Sequence, residues 1–496
     1  MRQQDRSAAG DVVDVVVVGG GNAGFSAAHA AAERGRRVLL LERGAPAEAG
    51  GNSYYTAGAF RIVHSGLEDV ADLLDDDERH AISVLPPYAA EDFAADMAKV
   101  TEGRNDPALT DVLIGDSQDA LRWLRGKGLR FRLMYERQAY PDHEQRQVFW
   151  GGLAVGSTGG GKGLIEQHTA AAESAGVEIR YGVRCRELVL EGGAVVGVAY
   201  TDPEGERREV RAESVVLAAG GFEANADMRR EHLGEGWQQA KVRGTPHNTG
   251  DMLTAAIAAG AATHGDWGTC HSVAWDAWHE HNESNREFTN QLTRGGYPLG
   301  IVVNSAGRRF LDEGADFRNL TYAKYGARIL AQPGGSAFQI FDATTRPWLR
   351  AEEYDMPGAS VVVADTIEEL AAGTGVDAAA LQSTVAEFNA SVDRSTELDA
   401  AVLDGRRAAV TPPKSNWAIP LETAPYYAFP VTCGITFTFG GLRADTSGRV
   451  LDDANAPIPG LLVCGEMLGG LFSGNYPGGT GLTSGAVFGR RAGALA

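Results

Sequence analysis

Gly19, Gly21 and Gly24 fall in a G-x-G-x-x-G spacing, and the acidic residue Glu42 stands eighteen positions after Gly24. Together they serve one task, which is to hold a dinucleotide. Gly19 permits the tight turn, Gly21 lets the backbone approach a pyrophosphate, and Gly24 lets a helix pack closely on a strand. Asn22 and Ala23 sit inside the same turn. A helix beginning there offers unpaired N–H groups and a positive dipole end to phosphates. Glu42 is placed to accept hydrogen bonds from both hydroxyls of an adenosine ribose, with Arg43 beside it.

These residues need particular elements to position them. The apolar run Val12–Val18 predicts a buried strand, Phe25–Arg34 an alanine-rich helix, and Val38–Leu41 a second strand. A glycine loop, Gly50-Gly51-Asn52-Ser53, follows, then a helical acidic stretch from Asp69 to Lys127. Gly156–Lys162 matches G-x-x-x-x-G-K. Gly163 stands where a P-loop needs Ser or Thr for Mg²⁺, so it is read as a helix start lining the ligand side. Strands are expected at Val177–Arg180, Glu187–Leu190 and Ala194–Tyr200, and Glu213–Gly221 as a strand returning to the nucleotide sheet. From Cys270 the aromatic, histidine and arginine density rises, and a single helix is expected over Ile367–Asn389. The strand-like Leu461–Glu466 and a last helix near Thr483 close the chain. The expected fold is α/β: a discontinuous Rossmann-like domain over 1–270 and 437–496, with an inserted α+β capping domain over 271–436.

With 496 residues, 44% hydrophobic and 22% charged, the chain reads as a soluble globular protein of two or three units. Its formal charge of −20 excludes a basic nucleic-acid-binding surface, and an anionic substrate must be held by local positive groups. Cys185, Cys270, Cys433 and Cys464 lack C-x-x-C spacing, which predicts buried thiols in a reducing cytoplasm and no Cys-ligated zinc, iron–sulfur cluster or attached haem. His279-Glu280-His281 lacks a third spaced ligand, so no metal is expected. Met1–Gly10 carries no signal-peptide core, and no apolar run is long enough to insert in a membrane.

Several segments together resemble the fumarate reductase and succinate dehydrogenase flavoprotein superfamily. They are Val15–Gly24, Gly50–Ser53, Val215–Phe222, Arg243–Asp251, Trp267–Ala277, Gly300–Arg318, Ile435–Gly441 and Gly460–Arg491. The similarity covers nearly the whole chain, is closest to the tricarballylate dehydrogenase branch, and extends to 3-ketosteroid Δ1-dehydrogenases. It implies FAD as the dinucleotide. Gly51, Asn52 and Ser53 would wrap the flavin, with Ala219, Gly220, Asn248, Asp251 and Gly465 around the cofactor and Glu466 beside the ribityl chain. Backbone N–H groups at Gly481 and Leu482 would face the N1/O2 edge of the flavin. Asn52 occupies the place where succinate dehydrogenases carry a covalent histidine, so non-covalent FAD is implied.

The resemblance also implies the chemistry. Dehydrogenation α,β to a carboxylate or carbonyl needs a base, donors for the developing oxyanion, and hydride transfer to flavin N5. Arg346 matches the local pattern of the family's proton-transferring arginine, and Glu313 with Arg318 resembles its relay pair. His271, Arg294, Tyr297 and Tyr322 are candidate substrate contacts. Thr436-Phe437-Thr438 and Asn475-Tyr476-Pro477 replace the histidine and arginine that clamp a C4-dicarboxylate in fumarate reductases. Tyr476 instead resembles the substrate tyrosine of the ketosteroid enzymes. The expected activity is C=C formation in a small carboxylate or polycarboxylate such as tricarballylate. The alternatives are an enoate reductase, a ketosteroid-type dehydrogenase or a non-catalytic flavin-binding protein. Electrons would leave to a quinone, O₂ or a separate redox protein.

Overall fold

The structure, a computed structural model, describes residues 11–142, 144–149 and 151–496; the expected leaderless segment Met1–Gly10 lies outside them. In chain order, strand β1 (Asp11–Val18) leads through the glycine turn into helix α1 (Asn22–Glu33), β2 (Val38–Leu41) and the short helix α2 (Gly51–Tyr54). The acidic stretch forms α3 (Ala90–Thr101) and α4 (Pro107–Gly126). The Asp106 side chain caps α4 by accepting from Leu109 N at 3.0 Å, and Pro107 fills the first turn, where its missing N–H costs nothing. Next come α5 (Gly160–Ser174), β3 (Glu178–Arg180), β4 (Arg184–Glu191), β5 (Ala194–Thr201) and β6 (Arg207–Leu217).

The cap follows with β7 (Lys241–Val242), β8 (Cys270–Asp276), β9 (Ile301–Val303), α6 (Arg318–Leu330), β10 (Ser336–Phe341) and β11 (Val362–Ala364). Helices α7 (Ile367–Thr374) and α8 (Ala378–Ser391) precede β12 (Tyr426–Thr438). The chain then forms β13 (Arg449–Leu451), β14 (Pro457–Val463) and α9 (Thr480–Leu495).

Two sheets carry the architecture. The first runs β4-β5-β6-β1-β2-β3, with β14 pairing β6 and β13 on its outer side. Its centre is parallel, with Val15 opposite both Ser214 and Val38. Such strands are covered on both faces, which is why Val15, Val16 and Val17 are fully buried and read as one apolar run. The late strand β14 returns to this sheet in parallel, Val215 facing Leu461 and Leu217 facing Val463. The nucleotide domain is therefore discontinuous.

In the second, six-stranded sheet, the long β12 pairs with β7, β8, β10 and β11. This cap sheet takes in Lys241–Val242, upstream of the expected boundary at 270, and β12 runs past 436 to Thr438. The helix expected over Ile367–Asn389 is two helices, because Gly375 turns left-handed (φ +73°) to end α7 and the Asp377 side chain caps α8. Among the described residues no helix is long and apolar enough to cross a membrane.

Candidate active site

One continuous cavity runs from the glycine turn to the underside of the cap sheet. At its nucleotide end, three helices point glycine-capped N-termini at the space. Gly21 caps α1, Gly50 caps α2 and Gly479 caps α9, none with a capping side chain. Asn22 N donates to Ser53 Oγ at 3.0 Å and Thr480 N to the Pro477 carbonyl at 3.2 Å, and the dipoles and the other first-turn N–H groups are left for an anion. Gly21 and Gly51 face each other closely, since a Cβ built on Gly51 would lie 3.9 Å from Gly21 Cα. That bare-backbone cradle fits a pyrophosphate. Gly24 is the one expected cofactor residue that does not line the cavity. It packs on the Gly19 carbonyl, where a Cβ has no room.

The other expected cofactor residues of the glycine turn, Gly51–Ser53, Ala219, Gly220, Asn248, Asp251, Gly465, Glu466, Gly481 and Leu482 all line it, as do Glu42 and Arg43. Glu42 Oε2 accepts from Gly20 N at 2.7 Å and Oε1 from Gly44 N at 2.6 Å. Burial raises its pKa, while those two N–H donors oppose the rise. Arg43 donates to the His247 carbonyl (2.7 Å) and Thr249 Oγ1 (2.6 Å). Asp251 is held by Arg184 at 2.6 Å.

Asn22 ties the cofactor end to a buried chain that the sequence did not disclose. Its amide Nδ2 donates to the Leu482 carbonyl at 2.8 Å, so its Oδ1 is the acceptor for His168 Nε2 at 3.0 Å. His168 Nδ1 must then accept from His29 Nε2 at 3.1 Å. Burial keeps both imidazoles neutral, lowering His29 to about 4 and His168 well below the ordinary value. The chain fixes α1 against the start of α9.

The cap end is lined by Arg137, Arg243, Arg318, Tyr322, Phe437 and Tyr476. The Tyr322 and Tyr476 hydroxyls meet at 2.6 Å. Burial raises the Tyr476 pKa well above that of a free phenol, with Tyr322 adding to it. Arg318, at the first turn of α6, lies 6.0 Å from the Tyr322 ring centre and has no ion pair among the described residues. Burial, then the neighbouring charge of Arg350, lowers its pKa to about 10. Arg243 donates Nη1 to Thr436 Oγ1 at 2.8 Å, its buried Nε has no partner, and burial lowers its pKa.

Several expected residues stand elsewhere. Arg346 does not reach the cavity; it pairs with Asp355 over the Tyr427 and Phe429 rings. Glu313 does not join Arg318 in a relay. It is buried against Arg309 and accepts from Val302 N at 2.7 Å. Arg294 pairs with Asp276 at 2.5 Å with both side chains fully buried, and the Tyr297 hydroxyl bonds Thr321 Oγ1 at 2.7 Å. His271 lies behind the tyrosine pair, stacked on Phe437, with neither ring nitrogen partnered and burial holding it neutral.

The FAD binding domain family model matches residues 14–482 of this chain. The chain is a member of the fumarate reductase and succinate dehydrogenase flavoproteins. It is 29% identical to fumarate reductase (cytochrome) of Shewanella frigidimarina over 98% of this chain and 77% of that one. It is 30% identical to urocanate reductase of Eggerthella lenta over 98% and 74% of the two chains. The fold superimposes on 3-ketosteroid Δ1-dehydrogenase of Sterolibacterium denitrificans with a TM-score of 0.75 at 22% identity, covering 97% of this chain and 99% of that one.

This flavoprotein binds FAD and is an oxidoreductase acting on CH–CH groups. The cradle between Gly21 and Gly51, and the uncapped start of α9, are the residues that fit the cofactor. Sequence reasoning missed Arg137, Arg243, Arg350 and Glu353, because their roles depend on chain crossings and not on spacing. Glu353 is buried between Arg137 (2.9 Å) and Arg350 (3.3 Å). Burial works against its charge, yet Arg350, Arg137 and Arg318 outweigh it and hold the carboxyl at about 2.

Proposed function

We propose that this flavoprotein dehydrogenates a small carboxylate or polycarboxylate, such as tricarballylate, at the α,β bond, with FAD held non-covalently. The observation that carries the proposal is a charge imbalance at the cap end of the cavity. Four guanidiniums, of Arg137, Arg243, Arg318 and Arg350, gather against the carboxylates of Glu352 and Glu353. Two positive charges remain, on Arg243 and Arg318, and both face the cavity. Burying an unpaired charge is costly unless a ligand supplies the partner. In a chain of net charge −20, this local excess supports an anionic substrate.

Bound FAD supplies the two-electron acceptor. The chain supplies the rest. Arg318 stands beside Tyr322 with a depressed pKa and no ion pair among the described residues, which supports it, and not Arg346, as the group that moves the proton. Behind it Glu353 pairs with Arg137 and raises the Arg350 pKa against burial, which leaves Arg318 as the cavity-facing guanidinium of this group with a lowered pKa. Asn52 stands where a covalent attachment would need a nucleophilic ring, and its amide is already engaged with Glu223 (2.6 Å) and the Thr436 carbonyl (2.5 Å). The phenol pair favours a second reading, in which a ketone oxygen accepts from Tyr476. A quinone, O₂ or a separate redox protein would reoxidise the cofactor.

Anaerobic mixing of the holoenzyme with candidate substrates tests the reading. A saturated di- or tricarboxylate is expected to bleach the oxidised flavin band, and Arg243→Gln to weaken its binding about tenfold or more. Bleaching by cyclic ketones alone would establish the second reading instead.

A further inference from the structure

Two glutamates outside the proton-transfer machinery meet beside the cofactor end. Glu223 follows the Gly220-Gly221 turn after β6 and is fully buried; Glu466 follows β14 and lines the cavity. Glu223 Oε1 accepts from Asn52 Nδ2 and Asn248 Nδ2, both at 2.6 Å. Glu466 Oε1 accepts from Thr438 N at 2.7 Å and Thr438 Oγ1 at 3.1 Å. Glu223 Oε2 is buried without a donor. The two carboxyls lie within hydrogen-bond reach of each other.

Among the described residues no cation forms an ion pair with either carboxylate. Arg229 lies beside Glu223, but it donates to the main-chain carbonyls of Glu223, Trp237 and Gln238 and not to the carboxylate. The thiols of Cys270 and Cys433, on β8 and β12, face the same region and are kept neutral by burial. Asn52, Asn248 and Thr438 are uncharged donors. Two carboxylates in contact in such a place cannot both stay ionised, and an oxygen without a donor acquires one when a proton sits between them.

We infer that Glu223 and Glu466 share a single proton, held between Glu223 Oε2 and the Glu466 carboxyl, and that this proton makes the carboxyl pair compatible with an anionic dinucleotide. Burial raises both groups, Glu466 well above the usual carboxylate range with the Glu223 charge adding to the rise, in line with a proton retained at neutral pH. The pair then presents one negative charge to the cofactor and holds Asn52 and Asn248 as acceptor. In alkali the proton leaves, a second negative charge appears beside the cavity that holds the anionic cofactor, and cofactor affinity falls. Glu223 is thus a positioning residue whose protonation couples pH to cofactor loading.

Glu223→Gln tests this, because the amide N–H can replace the shared proton while Glu466 keeps its single charge. FAD titrations of the apoprotein are expected to agree within about threefold between wild type and variant at neutral pH. Wild type should weaken about tenfold or more in alkali and the variant should not. Tighter binding by the variant at neutral pH, by about tenfold, would mean that both carboxyls were ionised and would overturn the inference. An equal alkaline loss in both proteins would overturn it too. A measurement needing no variant is isotope-edited infrared spectroscopy of wild-type apoprotein labelled in glutamate. It is expected to show a protonated carboxyl at neutral pH that vanishes in alkali, and an all-carboxylate spectrum at neutral pH would sink the proposal.

Discussion

Arg318 and Arg346 differ in what surrounds the guanidinium, and that difference separates their expected behaviour. Arg318→Ala should keep FAD and lose turnover by about 10²–10⁴-fold, the range typical of a missing proton-transfer group. Arg346→Ala, which breaks an ion pair with the half-exposed Asp355, should turn over normally. Stopped-flow flavin reduction distinguishes them, and a slow Arg346 variant would restore the family-based assignment. The pH profile follows from the same group. To accept a proton Arg318 must first be deprotonated, so dehydrogenation should accelerate as pH rises towards its pKa of about 10. The reverse reduction should slow over that window. A flat dehydrogenation profile there would remove Arg318 from the mechanism. At this scale the sequence was half legible. It exposed the glycine turn and Glu42, whose roles follow from local spacing. It could not show that Glu313 spends its charge on Arg309, four residues earlier, or that Glu353 stands behind Arg318, since both depend on how the cap loops cross.

Helix α9 meets α1 through Gly485, Gly489 and Gly493, three glycines at four-residue intervals. A Cβ at Gly489 would press on the Ala23 carbonyl and one at Gly493 on the Ala27 carbonyl, so the helices touch backbone to backbone. Gly489→Ala should destabilise by about 1–3 kcal/mol through overpacking and displace the α9 N-terminus from the cofactor. Thermal melts and FAD retention on gel filtration read both effects, and unchanged values would show that the helices can separate without loss. Strands β1, β2, β6 and β14 were legible through the runs Val15–Val18, Val38–Leu41, Val215–Leu217 and Leu461–Val463, which are buried on both faces. The two-residue β7 has no pattern of its own and exists only through pairing with Gly434 and Ile435. The break between α7 and α8 was signalled by Gly375 and Asp377, but the apolar spacing on either side runs on as if unbroken.

On the scale of the whole molecule, the cap is fastened to the cofactor domain by Arg286, which lies 3.4 Å over the Tyr54 ring centre and donates to the Glu48 carbonyl at 2.9 Å. Arg286→Ala should accelerate FAD release several-fold, read as recovery of free-flavin fluorescence after dilution, and an unchanged rate would place the fastening elsewhere. The return of β14 to β6 also sets an order of events during synthesis. Leu217 and its partner Val463 are 246 positions apart, so the inner edge of β6 leaves the ribosome without its neighbour. At 5–20 residues per second that edge stays open for roughly 10–50 s. A nascent chain with an unpaired, apolar strand edge is a template for intermolecular pairing, and a chaperone shielding that edge has a defined interval in which to act.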